Sequence, residues 1–226
     1  MTQARLMKTH ALSVTARAAA ALAGTLLLAP SLVGAATNPA QTAFYDAYAK
    51  ISSYTATVTD HEVKGSDTQD RTYHFEFLKP HFARIGITAG PGKGGGAVWT
   101  GGDTVRGHQG GLLSGIQLTV SIHDGRAVSL RGDTLLRAGF QSVIDDLKAA
   151  SAVTESSGTL DGKDVDVLSA PLPSADANGV TKHVVYLSKT THLPVQRNTY
   201  AGDQVVKTEK WTDVNTSANL KESDFS

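Results

Sequence analysis

Cysteine is absent from the sequence, which excludes disulfide bonds and thiol catalysis. A basic excess is also absent. Arg5, Lys8 and Arg17 are the only charged residues before position 36, so residues 36–226 hold 18 Lys and Arg against 21 Asp and Glu. The resulting net charge near −3 argues against nucleic acid as a partner. Beyond residue 36, no apolar run is long enough to cross a membrane.

The first 35 residues have the pattern of a secretory signal peptide. Their basic residues precede the apolar run 18–32, and small residues then offer a cleavage site after Ala35 or Ala36. The run is shorter than the roughly 20 residues that a membrane anchor needs. We therefore predict a signal peptide over 1–35 and a single domain over 36–226. Export and the lack of cysteine fit a bacterial periplasm, with another bacterial exterior as the alternative.

Alternating apolar and polar residues predict a sheet of short antiparallel strands. In the first of them Tyr54, Ala56 and Val58 alternate with threonines, which is the period of a half-buried strand. Turn signals such as Asp161-Gly162 separate the alternating runs. We expect strands near 54–63, 72–78, 82–88, 97–100, 104–108, 116–122, 153–168 (two arms), 181–187, 194–200 and 204–214.

Two helices complete the predicted architecture. Asn38-Pro39 begins an amphipathic helix over 39–51, since Pro is favoured at the first helical position. A second helix over 133–148 begins after Gly132, with Asp133 as its cap and with Asp145 and Asp146 facing away from its apolar side. This order of elements predicts an α+β fold with a meander sheet.

The motifs that could indicate metal, nucleotide or nucleophilic chemistry are incomplete in this sequence. His61-Glu62 is not followed by the second His of a zinc-protease helix, and the other histidines are scattered singly. Gly92-Lys93-Gly94 lacks the Ser or Thr of a phosphate-binding loop. Ser114-Gly115 lacks the preceding Gly of a nucleophile elbow. We therefore predict neither an enzyme, nor a metal site, nor a cofactor.

Four segments carry a resemblance to a known family. They are the Leu78-Lys79-Pro80-His81-Phe82-Ala83-Arg84 segment, Val98 to Asp103, Val184 to Val195 with its Leu-Pro turn, and the closing Leu220 to Phe225. Together the chain resembles the periplasmic lipoprotein-carrier (LolA-like and LolB-like) superfamily, in a branch without an assigned role.

The resemblance implies a strongly curved open half-barrel whose concave face is covered by helices, with an apolar cavity between them. The expected function is that of a carrier or chaperone for lipid-modified or other hydrophobic cargo. Its partners would be acyl chains of lipids or lipoproteins and a membrane-protein donor or acceptor. The alternative is a lipid or lipoprotein sensor, or a protein-interaction module, of the same fold.

Candidate ligand-binding residues follow from strand alternation and from the resemblance. Alternation places seven apolar residues on one concave face, with a filled core as the alternative. The second helix contributes a lid, and the resemblance implies that Arg84 is a buried or half-buried gate, with an exposed arginine on the outer face as the alternative. The predicted site is Tyr54, Phe75, Phe77, Phe82, Arg84, Val98, Ile116, Leu118, Val120, Leu136, Phe140 and Val143.

Overall fold

The computed structural model describes residues 38–113 and 115–226, with the side chain of Leu113 left out. The predicted signal peptide therefore lies outside the described residues. None of the helices in the described part is long and apolar enough to span a membrane. The helices are α1 (Pro39–Ala49) and α2 (Phe140–Ala149); the strands are β1 (Ser53–Lys64), β2 (Asp67–Leu78), β3 (Phe82–Ala89), β4 (Gly96–Trp99), β5 (Thr104–His108), β6 (Gln117–Ser121), β7 (Thr154–Leu160), β8 (Lys163–Pro171), β9 (Lys182–Ser188), β10 (Pro194–Ala201) and β11 (Gln204–Asn215).

All strands belong to one antiparallel sheet with the order β6-β5-β4-β3-β2-β1-β11-β10-β9-β8-β7. Two meanders, β1 to β6 and β7 to β11, are joined through the central β1–β11 pair. The described part is thus mostly β with two α-helices, and the predicted antiparallel meander is confirmed. The sheet is open at β6 and β7. Strand order fixes neighbours rather than bending, so the strong curvature of a half-barrel stays a prediction.

The long hairpin of β1 and β2 shows why the strand predictions succeed. Its pairing runs without a break from Ser53 opposite Leu78 to Lys64 opposite Asp67. The connection is a two-residue turn in which Gly65 has a φ of 62°, a left-handed conformation that glycine adopts without steric cost. The hairpin register therefore places Tyr54, Ala56 and Val58 on the same face as the aromatic residues of β2.

The predicted helix over 133–148 is divided in two. A short 3₁₀ helix covers Leu135–Ala138, Gly139 is extended, and α2 begins at Phe140. A Cβ on Gly139 would lie 3.4 Å from the Phe75 ring and 3.5 Å from the Tyr54 hydroxyl, which is ordinary van der Waals contact, so the chain lies directly on the sheet at this point. Asp133 does not cap this helix, because its carboxylate is bound to a lysine of the sheet.

An apolar core fills the space between the helices and one face of the sheet. Phe44 and Tyr48 of α1 and Phe140 of α2 are buried against it. The rings of Tyr54 and Phe140 stack with centroids 4.5 Å apart, and Phe140 also meets Trp211 at 5.9 Å. Burial of such aromatic side chains contributes most of the apolar stabilisation available to a domain of this size.

On the same face the core gives way to a stripe of buried charges that crosses the central strands. We call Asp60, Glu62, Arg197, Lys207 and Glu209 the charged stripe; each is at most 5% exposed. Pairing sets Asp60 opposite Glu209, Glu62 opposite Lys207, and Arg197 opposite Glu209. Two of these pairs set opposite charges against each other, which is the condition for burying them, whereas Asp60 and Glu209 are both acidic and depend on Lys207 between them.

Arg197 uses all five of its N–H donors. Its Nε and Nη2 donate to Glu209, and its Nη1 donates to Asp146 Oδ2 at 2.8 Å. The two remaining bonds reach the Ser142 hydroxyl at 3.0 Å and the Arg137 carbonyl at 2.7 Å. The prediction that Asp146 faces solvent is therefore wrong, because this carboxylate joins α2 to the buried guanidinium.

Lys207 is the second buried cation of the stripe. Its Nζ lies 2.8 Å from Glu62, 2.7 Å from Asp133, 3.2 Å from Asp60 and 3.4 Å from Glu209. Burial, assisted by the neighbouring carboxylates and only partly opposed by Lys207, raises the pKa of Asp60 to about 8. Asp60 Oδ1 also has no hydrogen-bond partner among the described residues. Asp60 is thus the member of the stripe that takes up a proton.

Removal of Arg197 should strongly destabilise the fold. We expect Arg197→Ala to lower the free energy of unfolding by about 3–5 kcal/mol, because Glu209 and Asp146 lose the charge that compensates their burial. Urea denaturation measures this difference. Lys210→Ala on the neighbouring strand β11 is the control, since its partner Asp161 is 72% exposed, and a change within about 0.5 kcal/mol is expected. Equal losses in both variants would contradict the role of the stripe.

The stability of Asp60→Asn relative to the parent should increase with pH. The folded parent holds the Asp60 proton up to about pH 8, whereas the unfolded chain releases it near pH 4, so Asp60 makes the parent less stable as pH rises between these values. In the variant, asparagine has no carboxyl proton to release, so the stability does not fall for this reason over this pH range. The difference in unfolding free energy should grow by up to about 1.4 kcal/mol per pH unit. Urea titrations between pH 5 and pH 7.5 measure it, and a flat difference would show that Asp60 is ionised.

Candidate functional site

A cavity of about 290 Å³ lies between the Gly139 break and the β2–β4 side of the sheet. Its walls are apolar and mostly aromatic, and polar side chains gather on the helical side. The apolar lining is Phe75, Phe77, Pro80, Trp99 and Leu136; the polar lining is Thr134, Arg137, Gln141, Ser142 and Asp145. The arrangement suits a ligand with an apolar body and one polar end.

The walls of the cavity are positioned by strand alternation. Phe75 and Phe77 lie two residues apart on the core face of β2. Trp99, at the end of β4, is opposite Ala83 of β3 and so lies on that same face. The Trp99 indole donates to the Gly102 carbonyl at 2.9 Å, which fixes the ring against its own turn. The floor and one wall are therefore held by regular sheet structure.

The roof of the cavity is the 3₁₀ helix, Gly139 and the first turn of α2, and it is bonded to the sheet from below. The Phe140 amide, which has no partner within its helix, donates to the Tyr54 hydroxyl at 2.9 Å. The Trp211 indole donates to the Ala138 carbonyl at 2.8 Å. Together with the bond from Arg197 to the Arg137 carbonyl, these contacts fix the backbone on both sides of Gly139.

Arg137 connects the cavity to the buried charges. Its guanidinium donates to both oxygens of Asp146, at 2.7 and 3.1 Å. Although burial alone would lower it, the carboxylates of Asp146, Glu209 and Asp133 raise the pKa of Arg137 above its usual value. Arg137 also borders a polar cavity of about 200 Å³ that reaches His183 and Lys207. One side chain thus separates an apolar space from a charged one.

His183 is the titratable group on the far wall of that polar cavity. Burial, together with the nearby Arg137 and Arg197, lowers its pKa to about 4, although Asp146 opposes the shift. Its Nδ1 lies 3.1 Å from the Thr199 hydroxyl. His183 is therefore neutral at physiological pH and adds no positive charge to the cluster.

The predicted site residues fall into three groups. Phe75, Phe77 and Leu136 line the cavity. Leu118 and Val120 are on the same face but border a separate recess of about 70 Å³ near the sheet edge. Tyr54, Phe140 and Val143 are fully buried in the core, as the alternative of a filled core predicts. The seven-residue concave face is therefore not continuous.

Four predicted residues lie away from the cavity. Val98 pairs with Arg84 on the opposite face of the sheet, and Phe82 packs there against Phe225 at 5.6 Å. Arg84 does not point inward, since its guanidinium is paired with Glu76 on the outer face. The prediction that Arg84 is an inward-pointing gate is thus wrong, because β3 directs Ala83, Ile85 and Ile87 toward the core. Ile116 precedes β6 and is exposed.

Sequence reasoning missed Trp99, Pro80, Arg137, Gln141 and Asp145. Trp99 could have been predicted from the sequence, because it shares a strand face with Ala97 and only one of Val98 and Trp99 can face inward. Arg137 and the other polar residues gave no signal, since their placement depends on the break at Gly139. Among the described residues, no group of three or more His, Asp or Glu side chains is arranged to hold a metal ion.

Removal of the Tyr54 hydroxyl should loosen the roof without emptying the core. In Tyr54→Phe the stacked ring remains, while the Phe140 amide loses its buried acceptor, so the unfolding free energy should fall by about 1–3 kcal/mol. Amide exchange at residues 138–142 should accelerate, as measured by NMR. Tyr73→Phe is the matched control, because that buried tyrosine makes no side-chain hydrogen bond to the described residues. Equal exchange in parent and Tyr54→Phe would contradict the anchoring role.

The sequence matches no protein-family model and no curated protein sequence. Structural similarity is found at low identity. A putative outer membrane lipoprotein-sorting protein domain from Vibrio parahaemolyticus is 14% identical, with 82% of this chain and 95% of that chain covered and a TM-score of 0.45. A LolA superfamily protein from Nitrosomonas europaea is 12% identical, with 83% and 97% covered and a TM-score of 0.39.

The third similar structure is the MucA/MucB complex of Pseudomonas aeruginosa. It is 13% identical, with 84% of this chain and 61% of that chain covered and a TM-score of 0.47. The chain is thus structurally similar to members of the LolA superfamily and to MucB at low identity. Similarity at this distance does not transfer a ligand or a partner to the chain.

Proposed function

We propose that the protein is a non-enzymatic periplasmic carrier that binds an acyl chain, or a hydrophobic group of similar width, in the cavity beneath Gly139. The observation that carries this proposal is the division of the lining into an aromatic floor and a polar roof edge. A lipid-modified cargo has the same division between chain and head. Chain burial against Phe75, Phe77 and Trp99 would supply the affinity.

The cavity volume limits the ligand. At about 290 Å³ it lies at the lower end of the range of roughly 300–1,000 Å³ usual for ligand sites. One chain segment fits this space, whereas several chains require the roof to move. Each buried methylene adds about 0.8 kcal/mol. A single-chain amphiphile is therefore the simplest ligand for the conformation described.

The polar residues at the roof edge favour binding over catalysis. The Ser142 hydroxyl has one proton to share between the Gly139 and Arg137 carbonyls, and its oxygen accepts from Arg197, which commits it to holding the helix start. The charge of Arg137 is already matched by Asp146. Gln141 and Asp145 are exposed and hydrogen-bonded to each other at 2.9 Å. These side chains form a polar rim that would contact a head group while the chain stays below.

A sensor is the second candidate, and Arg137 is the observation that favours it. Arg137 lines the ligand cavity and also binds Asp146, which in turn binds Arg197 of the stripe. A ligand that displaces Arg137 would therefore alter contacts between α2 and the sheet. A carrier releases its chain to acceptor vesicles, whereas a sensor retains the chain and changes its affinity for a protein partner.

Filling the cavity should abolish acyl binding. We expect the parent to bind dansylundecanoic acid, measured by fluorescence, and Leu136→Trp to weaken binding by roughly tenfold or more, because the indole occupies the cavity. Leu118→Trp is the matched control, since Leu118 borders the separate recess. Its affinity should equal that of the parent.

The same assay separates the alternatives. Loss of probe binding in both tryptophan variants, or none in the parent, would contradict the proposed site. Addition of phospholipid vesicles to the loaded parent then measures release. Rapid transfer of the probe supports a carrier, and retention supports a sensor.

A further inference from the structure

The exposed apolar side chains of the molecule are concentrated at one place. Four large hydrophobic side chains in the described part are exposed, and three of them lie between residues 112 and 118. Leu112 is fully exposed at 105%, Ile116 is 55% exposed and Leu118 is 44% exposed. The fourth, Val205, lies on β11 near the middle of the sheet order. We call Leu112, Ile116 and Leu118 the apolar tip.

The apolar tip lies at a free edge of the sheet. Leu118 belongs to β6, which pairs with β5 on one side and with no described strand on the other. The glycine-rich loop that contains Lys93 packs against the start of the tip. A Cβ on Gly110 would lie 1.9 Å from the Lys93 carbonyl, so the two backbones are in direct contact. Lys93 itself is exposed beside the tip.

Two basic residues lie at the same edge of the sheet as the tip, although the domain as a whole is acidic. Between Glu76 and Asp124 the only acidic residue is Asp103, against four Lys and Arg. Of these four, Arg84 is paired with Glu76 and Lys79 donates to the Tyr48 carbonyl at 2.7 Å, so the basic residues near the tip are Lys93 and Arg106. Arg106 on β5 is opposite Thr119 of β6 and is exposed on the outer face of that edge, where its Nη2 donates to the Phe225 carbonyl at 3.3 Å. Charge and apolar exposure thus coincide at one edge.

We propose that the apolar tip docks the protein on an anionic lipid bilayer, with Leu112 and Ile116 entering the interface and Lys93 and Arg106 facing lipid phosphates. Exposed apolar residues flanked by basic ones are the combination that binds such surfaces. Leu112 projects fully into solvent, and a fluid bilayer accommodates a projecting side chain without a matching pocket. The inference rests on the surface and not on the cavity, so it is independent of the proposed ligand.

Vesicle flotation tests the proposal with protein purified after export. The parent should bind vesicles of phosphatidylethanolamine and phosphatidylglycerol, bind phosphatidylcholine vesicles more weakly, and lose affinity in high salt because exposed charges are screened. The double variant Leu112→Ser with Ile116→Ser should bind the anionic vesicles roughly tenfold or more weakly. Lys93→Gln should weaken binding about fivefold, and on the anionic vesicles alone.

Matched controls exist elsewhere on the surface. Val205→Ser removes the fourth exposed apolar side chain, and Lys163→Gln removes an exposed lysine of β8. Both should bind vesicles as the parent does. The Leu112/Ile116 variant should still bind dansylundecanoic acid with parental affinity, which separates the surface from the cavity. The proposal is overturned if the parent binds neither vesicle, as expected of a protein-docking surface, or if the controls weaken binding equally.

Discussion

The buried guanidinium of Arg197 is the contact on which the rest of the structure depends. It is 0% exposed and joins β10 to β11 through Glu209, to α2 through Asp146 and Ser142, and to the 3₁₀ helix through the Arg137 carbonyl. A buried ion pair of this kind adds little net stability compared with apolar residues, but it tolerates few alternative arrangements. The bonds of Arg197 therefore fix the position of α2, because only one placement of this helix satisfies every donor. The Tyr54 and Trp211 bonds then fix the same backbone from the apolar side.

The cavity follows from this constraint. Polar contacts with strict distances and directions set the height of the roof, whereas apolar packing alone would let it settle until the space was filled. At the Arg197 end the roof is held down by charges. Toward Trp99 and Pro80 no comparable bond draws Leu136 onto the sheet, and the space between them stays open. A rigid anchor at one end and a loosely packed end at the other is also a geometry in which the roof can admit a longer chain.

The strands of the sheet could be predicted from the sequence far better than the residues of the candidate site. Alternation identified the strands, and the β1–β2 register followed from a single turn at Gly65. The inward position of Asp60 can be read from the series Tyr54, Ala56 and Val58, whereas its buried partner Lys207 cannot, because that lysine lies on a strand distant in sequence. The inward orientation of Arg84 came from a resemblance, and the register of β3 overrules it. The roof could not be predicted, since its position depends on contacts of Gly139 and Phe140 with Phe75 and Tyr54, which are distant in sequence.

The half of the sheet formed by β2 to β6 carries both proposed contacts with lipid, through opposite kinds of surface. Phe75, Phe77 and Trp99 line a cavity that is partly open to solvent, whereas Leu112 and Ile116 project from the surface into water. Exposed apolar residues at an uncovered strand edge invite aggregation, so their concentration at one cationic edge calls for a compensating use. Residues 67–121, which include β2 to β6, carry five Lys and Arg against four Asp and Glu, whereas residues 154–215, which include β7 to β11, carry six against eight. An anionic bilayer would attract the first half and repel the second, which orients the cavity-bearing strands toward the membrane surface.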